Sequence, residues 1–151
     1  PRRSVLARRQ SGRVMASPAP RVLLGMLGMD QHEAGAIAVA RLLRDAGMEV
    51  VYLGRFNLPE GIAAAALQEG VDVIGLSCHS WEYLEYLDEL FARLRDLDLD
   101  VPIVLGGSVI TPGDAVAVQA RGVAATFGPA ADPARIVETV GRLAADHQRS
   151  L

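Results

Sequence analysis

Apolar residues fall into two alternating rhythms along this chain. Nearly continuous apolar runs begin at Arg21 (RVLLGML), Glu49 (EVVYL), Val71 (VDVIGLS), Val101 (VPIVLGG) and Val123 (VAATFG). A run of this length bounded by turn residues predicts a strand buried on both faces. Between the runs the apolar positions recur every three or four residues, which predicts helices. In Glu33–Ala46, Ile37, Leu42, Leu43 and Ala46 lie opposite Arg41, Arg44 and Asp45, and Gly47 follows as a C-terminal cap. A second helix opens at Leu58-Pro59-Glu60 and runs to Gly70, with Pro59 in the first turn, where its missing N–H costs nothing. A third spans Trp81–Leu97, a short fourth follows Thr111-Pro112, and a fifth starts at the Asp132-Pro133 cap and ends near Gln148.

Five strands alternating with five helices predict an α/β domain whose parallel sheet is covered on both faces, with right-handed crossovers. The common five-stranded arrangement is flavodoxin-like, order 2-1-3-4-5. It places a ligand at the carboxyl ends of the strands, beside the switch between strands one and three. At 151 residues the chain makes one domain with a sizeable core.

Charge divides the chain unevenly. The net charge is −3, yet six of the fifteen arginines fall in residues 1–21, which hold no acid, and lysine is absent altogether. Residues 1–20 are therefore expected to be a disordered basic leader, with Met15 as a start for the folded part and a transit peptide as the alternative. Residues 21–151 form the expected domain. Its acidic balance argues against nucleic acid as the main partner. No apolar run is long enough to span a membrane. The single cysteine, Cys78, excludes a disulfide within the chain and fits a reducing, cytoplasmic setting.

The predicted strand ends concentrate polar and very small residues. Strand one leads into GMDQHEAG (Gly28–Gly35), strand three into SCHSW (Ser77–Trp81), strand four into Gly106-Gly107-Ser108, and strand five into Phe127-Gly128-Pro129-Ala130. A phospho-acceptor receiver would need an aspartate after strand three and a lysine after strand five. Strand three ends in Ser77 and there is no lysine. The first loop has no hydroxyl for a flavin phosphate, and a nicotinamide fingerprint is missing. The loop does hold Asp30-x-His32-x-x-Gly35. An imidazole suits a borderline metal, and a metal-bound histidine usually gives its other N–H to a carboxylate. Equally, Asp30 would serve as a helix N-cap and His32 as a solvated first-turn residue.

Asp30-x-His32-x-x-Gly35, Ser77 and Gly106-Gly107 together resemble the D-x-H-x-x-G, S-x-L and G-G signature of base-off/His-on cobalamin-binding domains. The likeness runs from Arg21 to about Ala145. RVLLGMLGMDQHEAGAIAVARLLRDAGMEVVYLG is most similar to the cobalamin domains of acyl-CoA mutases of the methylmalonyl-CoA mutase group. The resemblance implies His32 as the lower axial ligand to cobalt, replacing the cofactor's dimethylbenzimidazole, with Asp30 bonded to His32 and Gln31 beside it. Gly35 would leave room near the corrin. Ser77 would contact the displaced nucleotide tail, whose slot Gly106, Gly107 and Gly128 would line.

His79 departs from the pattern, standing where the signature has leucine. It would turn to solvent or cap the third helix, or else stack on or bond the benzimidazole. Cys78 reads as a small buried residue, and His147 as a favourable charge at a helix C-terminus. Trp81, Tyr83 and Tyr86 read as packing and surface positions, with an aromatic rim for the corrin as the alternative.

The resemblance further implies adenosylcobalamin as cofactor, or methylcobalamin, and a large TIM-barrel mutase subunit as partner. The chain would then be the small subunit of a radical acyl-CoA isomerase, inactive alone. The other readings are a stand-alone corrinoid carrier for methyl transfer, a B12-responsive regulatory module, or a domain that has lost its corrinoid.

Overall fold

The computed structural model describes residues 17–29, 31–108 and 110–151. The expectations for the first sixteen residues and for Asp30 lie outside the described residues. The elements run β1 (Arg21–Leu27), α1 (Ala34–Asp45), β2 (Glu49–Asn57), α2 (Pro59–Glu69), β3 (Val73–Ser77), α3 (Tyr83–Asp96), β4 (Ile103–Gly106), α4 (Pro112–Ala120), β5 (Ala125–Phe127) and α5 (Pro133–Ser150). All four strand pairings are parallel, in the order β2-β1-β3-β4-β5. The expected flavodoxin-like topology is the one observed.

Alternation along the strands divides the core into two layers. Leu23, Leu27, Ile74, Leu76, Ile103 and Leu105 face α2, α3 and α4, where Ile62, Leu87 and Leu90 are wholly enclosed. Val22, Leu24, Val73, Val104 and Phe127 face α1 and α5 and meet Leu43, Val140 and Ala144. The second layer has smaller side chains, and its strand positions include Gly75, opposite both Leu24 and Val104. The fold thus carries one dense face and one loosely filled face.

Three elements differ from the sequence reading. β2 runs four residues past Leu53, because Gly54 (φ 69°) and Phe56 (φ 62°) carry the strand through register shifts against β1. Glycine and asparagine in GRFN read as loop by propensity; tertiary pairing overrides them. α3 starts at Tyr83, two residues after Trp81, and α5 continues to Ser150. The Asp132 cap expected for α5 is observed, and α4 carries a cap as well. Thr111 and Asp114 form a reciprocal capping box, and Asp132 accepts from the Ala134 N–H at 3.0 Å.

At the amino edge of the sheet, Asp72 is the buried charged residue among those described, 6% exposed. It accepts from the Arg21 N–H at 2.9 Å and from Gln148 Nε2 at 3.0 Å, and meets His147 Nδ1 at 3.2 Å. His147 is therefore more than a charge at a helix end. It is a largely buried cross-link that fixes the foot of α5 to the start of β3.

Candidate functional site

On the loosely filled face, a cavity of about 520 Å³ lies between α1, α5 and the sheet. Its floor is built from Leu24, Gly75, Val104 and Gly106, and its walls from Gly35, Ala38 and Val39 of α1 and Ile136 and Val140 of α5. It runs toward the carboxyl edge, where Ser77, His79, Gly107, Ser108 and Gly128 border it. Small residues on facing elements create this space; larger side chains would fill it. Among the described lining residues, Ser77, His79 and Ser108 alone have polar side chains.

His32 lies exposed at the same edge, and its ring centroid is 5.4 Å from that of His79. The helix-cap alternative for this loop does not hold in the form expected. The N-cap of α1 is Glu33, without a side-chain cap bond, so His32 precedes the helix. Gln31 is exposed, and its carbonyl accepts from the Glu33 N–H at 3.0 Å. His79 neither caps α3 nor points away. Its Nδ1 is 3.0 Å from Ser108 Oγ, joining the loops after β3 and β4. Tyr83 is buried, where burial raises its pKa, and Tyr86 packs against Gly28. Trp81 alone of the three aromatics stands out in solvent, at 71% exposed.

The glycines separate by cause. A Cβ on Gly35 or Gly128 would meet no atom within 4 Å, so both border open space. On Gly106 it would touch only the Phe127 carbonyl oxygen at 3.7 Å, an ordinary contact. Gly107 has φ 141°, and its Cβ would overlap the Cys78 carbonyl, with the carbonyl carbon at 2.8 Å. The protein's own backbone demands that glycine, whatever lies in the cavity.

One positioning device was not read from the sequence. Glu33, directly after His32, accepts from Tyr52 Oη at 2.6 Å and pairs with Arg55 Nε at 3.5 Å. Both partners lie on β2, so the His32 loop is tied to the neighbouring strand. A tyrosine and an arginine three residues apart near a strand end were the available signal. Burial first, and then the Glu33 carboxylate, push the Tyr52 hydroxyl up to about 12. The raised value favours the neutral phenol, so the clamp is complete below the ordinary tyrosine value of about 10. It is lost as pH rises through about 12. Absorbance titration is expected to show late tyrosinate formation from Tyr52 as well as from buried Tyr83, with the late amplitude reduced to that of Tyr83 in Tyr52→Phe, and with that variant less stable by about 1 kcal/mol at neutral pH.

A parallel α/β sheet with a ligand-sized apolar cavity under its carboxyl edge, and a histidine at the rim, defines a small-molecule-binding domain of the doubly wound class. Within that class the match is specific. The model of the B12 binding domain matches residues 20–138, and the chain belongs to that family. It is 38% identical over 125 residues to the 2-hydroxyisobutanoyl-CoA mutase small subunit of Aquincola tertiaricarbonis, covering 83% of this chain and 92% of that one. It is 37% identical to the pivalyl-CoA mutase small subunit of Xanthobacter autotrophicus, covering 82% of each. Methylmalonyl-CoA mutase of Escherichia coli matches at 34% identity, over 85% of this chain and 18% of that protein.

A cobalamin-binding protein from Desulfitobacterium hafniense has the same fold, with a TM-score of 0.71 at 20% identity over 82% of this chain and 58% of that one. Receiver domains superimpose nearly as well, for example that of NarL from Mycobacterium tuberculosis at 0.64. That likeness is one of fold alone, since the acceptor aspartate and the lysine of a receiver have no counterpart here.

Proposed function

We propose that this chain is the cobalamin-binding small subunit of an adenosylcobalamin-dependent acyl-CoA mutase, with His32 as the lower axial ligand to cobalt. The observation that carries the reading is the apolar cavity opening at the edge where His32 stands. Its volume suits a nucleotide base with its sugar, and pockets of about 300–1,000 Å³ are the range for small ligands. Among the described residues no group of three or more His, Cys, Asp and Glu can hold a bare metal ion. A cobalt centre would arrive within its own macrocycle and need a single protein ligand. The residues present fit the group.

Each residue has a task in this reading. His32 would offer one ring nitrogen to the metal, and Asp30 would accept a hydrogen bond from the N–H of the other, which would fix the tautomer and strengthen the ligand. Glu33, held by Tyr52 and Arg55, sets the loop that presents His32. Gly35 and Gly128 leave the rim open to a bulky ring. Ser77, Gly106 and Gly107 border the path of the tail into the cavity. The bound cofactor supplies the carbon-centred radical that starts a carbon-skeleton rearrangement. The acyl-CoA site belongs to a large partner subunit with a TIM barrel, in line with the small-subunit relatives and their nearly full coverage.

The test is a visible spectrum of the purified chain titrated with cobalamin, beside His32→Ala. The parent is expected to shift to the histidine-ligated spectrum and the variant to remain without it. An unchanged parent spectrum at saturating cobalamin, with or without the large subunit, would sink the proposal.

A further inference from the structure

We infer that His79, held by Ser108, donates a hydrogen bond to the phosphodiester of the cobalamin tail where that tail enters the cavity. The inference rests on the cobalamin reading above and names the group that would anchor the tail. The tail of cobalamin runs from an amide-linked propanol through a phosphodiester and a ribose to an apolar benzimidazole. With the base in the apolar depth of the cavity, the anion lies toward the rim. An anion brought against an apolar wall needs a donor, because its lost hydration is otherwise uncompensated.

The lining offers few donors. Its polar side chains, among the described residues, are the hydroxyls of Ser77 and Ser108 and the imidazole of His79, and neither arginine nor lysine borders it. His79 is the side chain there with an N–H. Its Nδ1 lies 3.0 Å from Ser108 Oγ. When that hydroxyl donates to Nδ1, the ring proton sits on Nε2 and is available to a ligand. This requires no positive charge on the ring. The 5.4 Å between the His79 and His32 rings puts the donor beside the proposed metal ligand, where a tail displaced from cobalt would begin its path. The leucine of the signature has no donor at this position, so the substitution exchanges apolar packing for recognition of the anion.

The test titrates the full chain with cobinamide, cobinamide phosphate and cobalamin, by calorimetry, in the parent, His79→Leu and His79→Gln. The three corrinoids differ first by the phosphate and then by the ribose and base. The parent is expected to prefer cobinamide phosphate over cobinamide. That preference should fall about tenfold in His79→Leu, the size of one hydrogen bond to a charged group, and be kept in His79→Gln. Thermal melting of the ligand-free variants checks the fold.

An unchanged preference in His79→Leu, with all three corrinoids bound, overturns this inference and leaves the cofactor reading standing. A change confined to the step from cobinamide phosphate to cobalamin also overturns it, and assigns His79 to the base or ribose. A histidine-ligated spectrum that survives His32→Ala and vanishes with His32→Ala/His79→Leu would make His79 the metal ligand and overturn it too. No corrinoid bound by the parent removes both readings together.

Discussion

Gly107→Ala is expected to destabilise the ligand-free domain by about 4 kcal/mol, among the largest effects a single methyl can have. The new Cβ would overlap the Cys78 carbonyl, and that carbonyl is backbone, which cannot swing aside as a side chain could. The residue also has φ 141°, a conformation that costs an L-residue about 1–3 kcal/mol by itself. Cys78 is in turn fixed, since its N–H donates to the Gly106 carbonyl at 2.8 Å. Relief therefore requires β3 and β4 to part. A domain of this size has about 5–15 kcal/mol in total, so the variant should melt at least about 10 °C lower. Thermal denaturation without any corrinoid measures this. A melting temperature within a degree or two of the parent would contradict it.

The neighbouring glycine should give the opposite result. Gly106→Val is expected to keep the fold and lose about 10–100-fold in cobalamin affinity. Gly106 pairs with Ser77 and Phe127 in the regular ladder, and its Cβ would meet only an ordinary contact at 3.7 Å. Valine suits a strand. By alternation its side chain shares the face of Val104, which is the face of the cavity. Two methyl groups then occupy the path proposed for the tail. Thermal melting together with a spectral titration separates the two outcomes. A Gly106→Val protein that binds cobalamin as tightly as the parent would show that the tail takes another route.

The contrast shows what a sequence can and cannot carry. The pair Gly106-Gly107 was visible as a feature of the edge after strand four, and one explanation, clearance for a ligand, covered both. The structure leaves room for a Cβ beside Gly106, while at Gly107 the Cys78 carbonyl already requires glycine, whatever the cavity holds. Sheet order was legible because near-continuous apolar strands alternating with amphipathic helices leave few topologies. β2 was read too short because Gly54 and Phe56 carry their positive φ angles only under pairing with β1.

Partners distant in sequence were the hardest to read. Asp72 meets His147 across 75 residues and Glu33 meets Tyr52 across 19, and no local spacing announces either. The His79 side chain was expected to turn to solvent or cap α3, or else to reach the ligand. Its bond to Ser108 depends on how closely β3 and β4 bring their loops together.

The Asp72 cross-link has a kinetic consequence. It pins α5 at its carboxyl end, beyond the part that lines the cavity, while Glu33 ties the start of α1 to β2 near the rim. The two walls are thus cross-linked by polar side chains at opposite ends, α1 beside the mouth and α5 at the far end from it. A tilt of α5 about its foot, with Asp72 as the pivot, would widen the mouth. Uptake of a corrinoid that needed such a tilt would be slower than the roughly 10⁵–10⁷ M⁻¹s⁻¹ typical of rigid docking. The helix end farthest from the cofactor would act as the governor of how fast it loads.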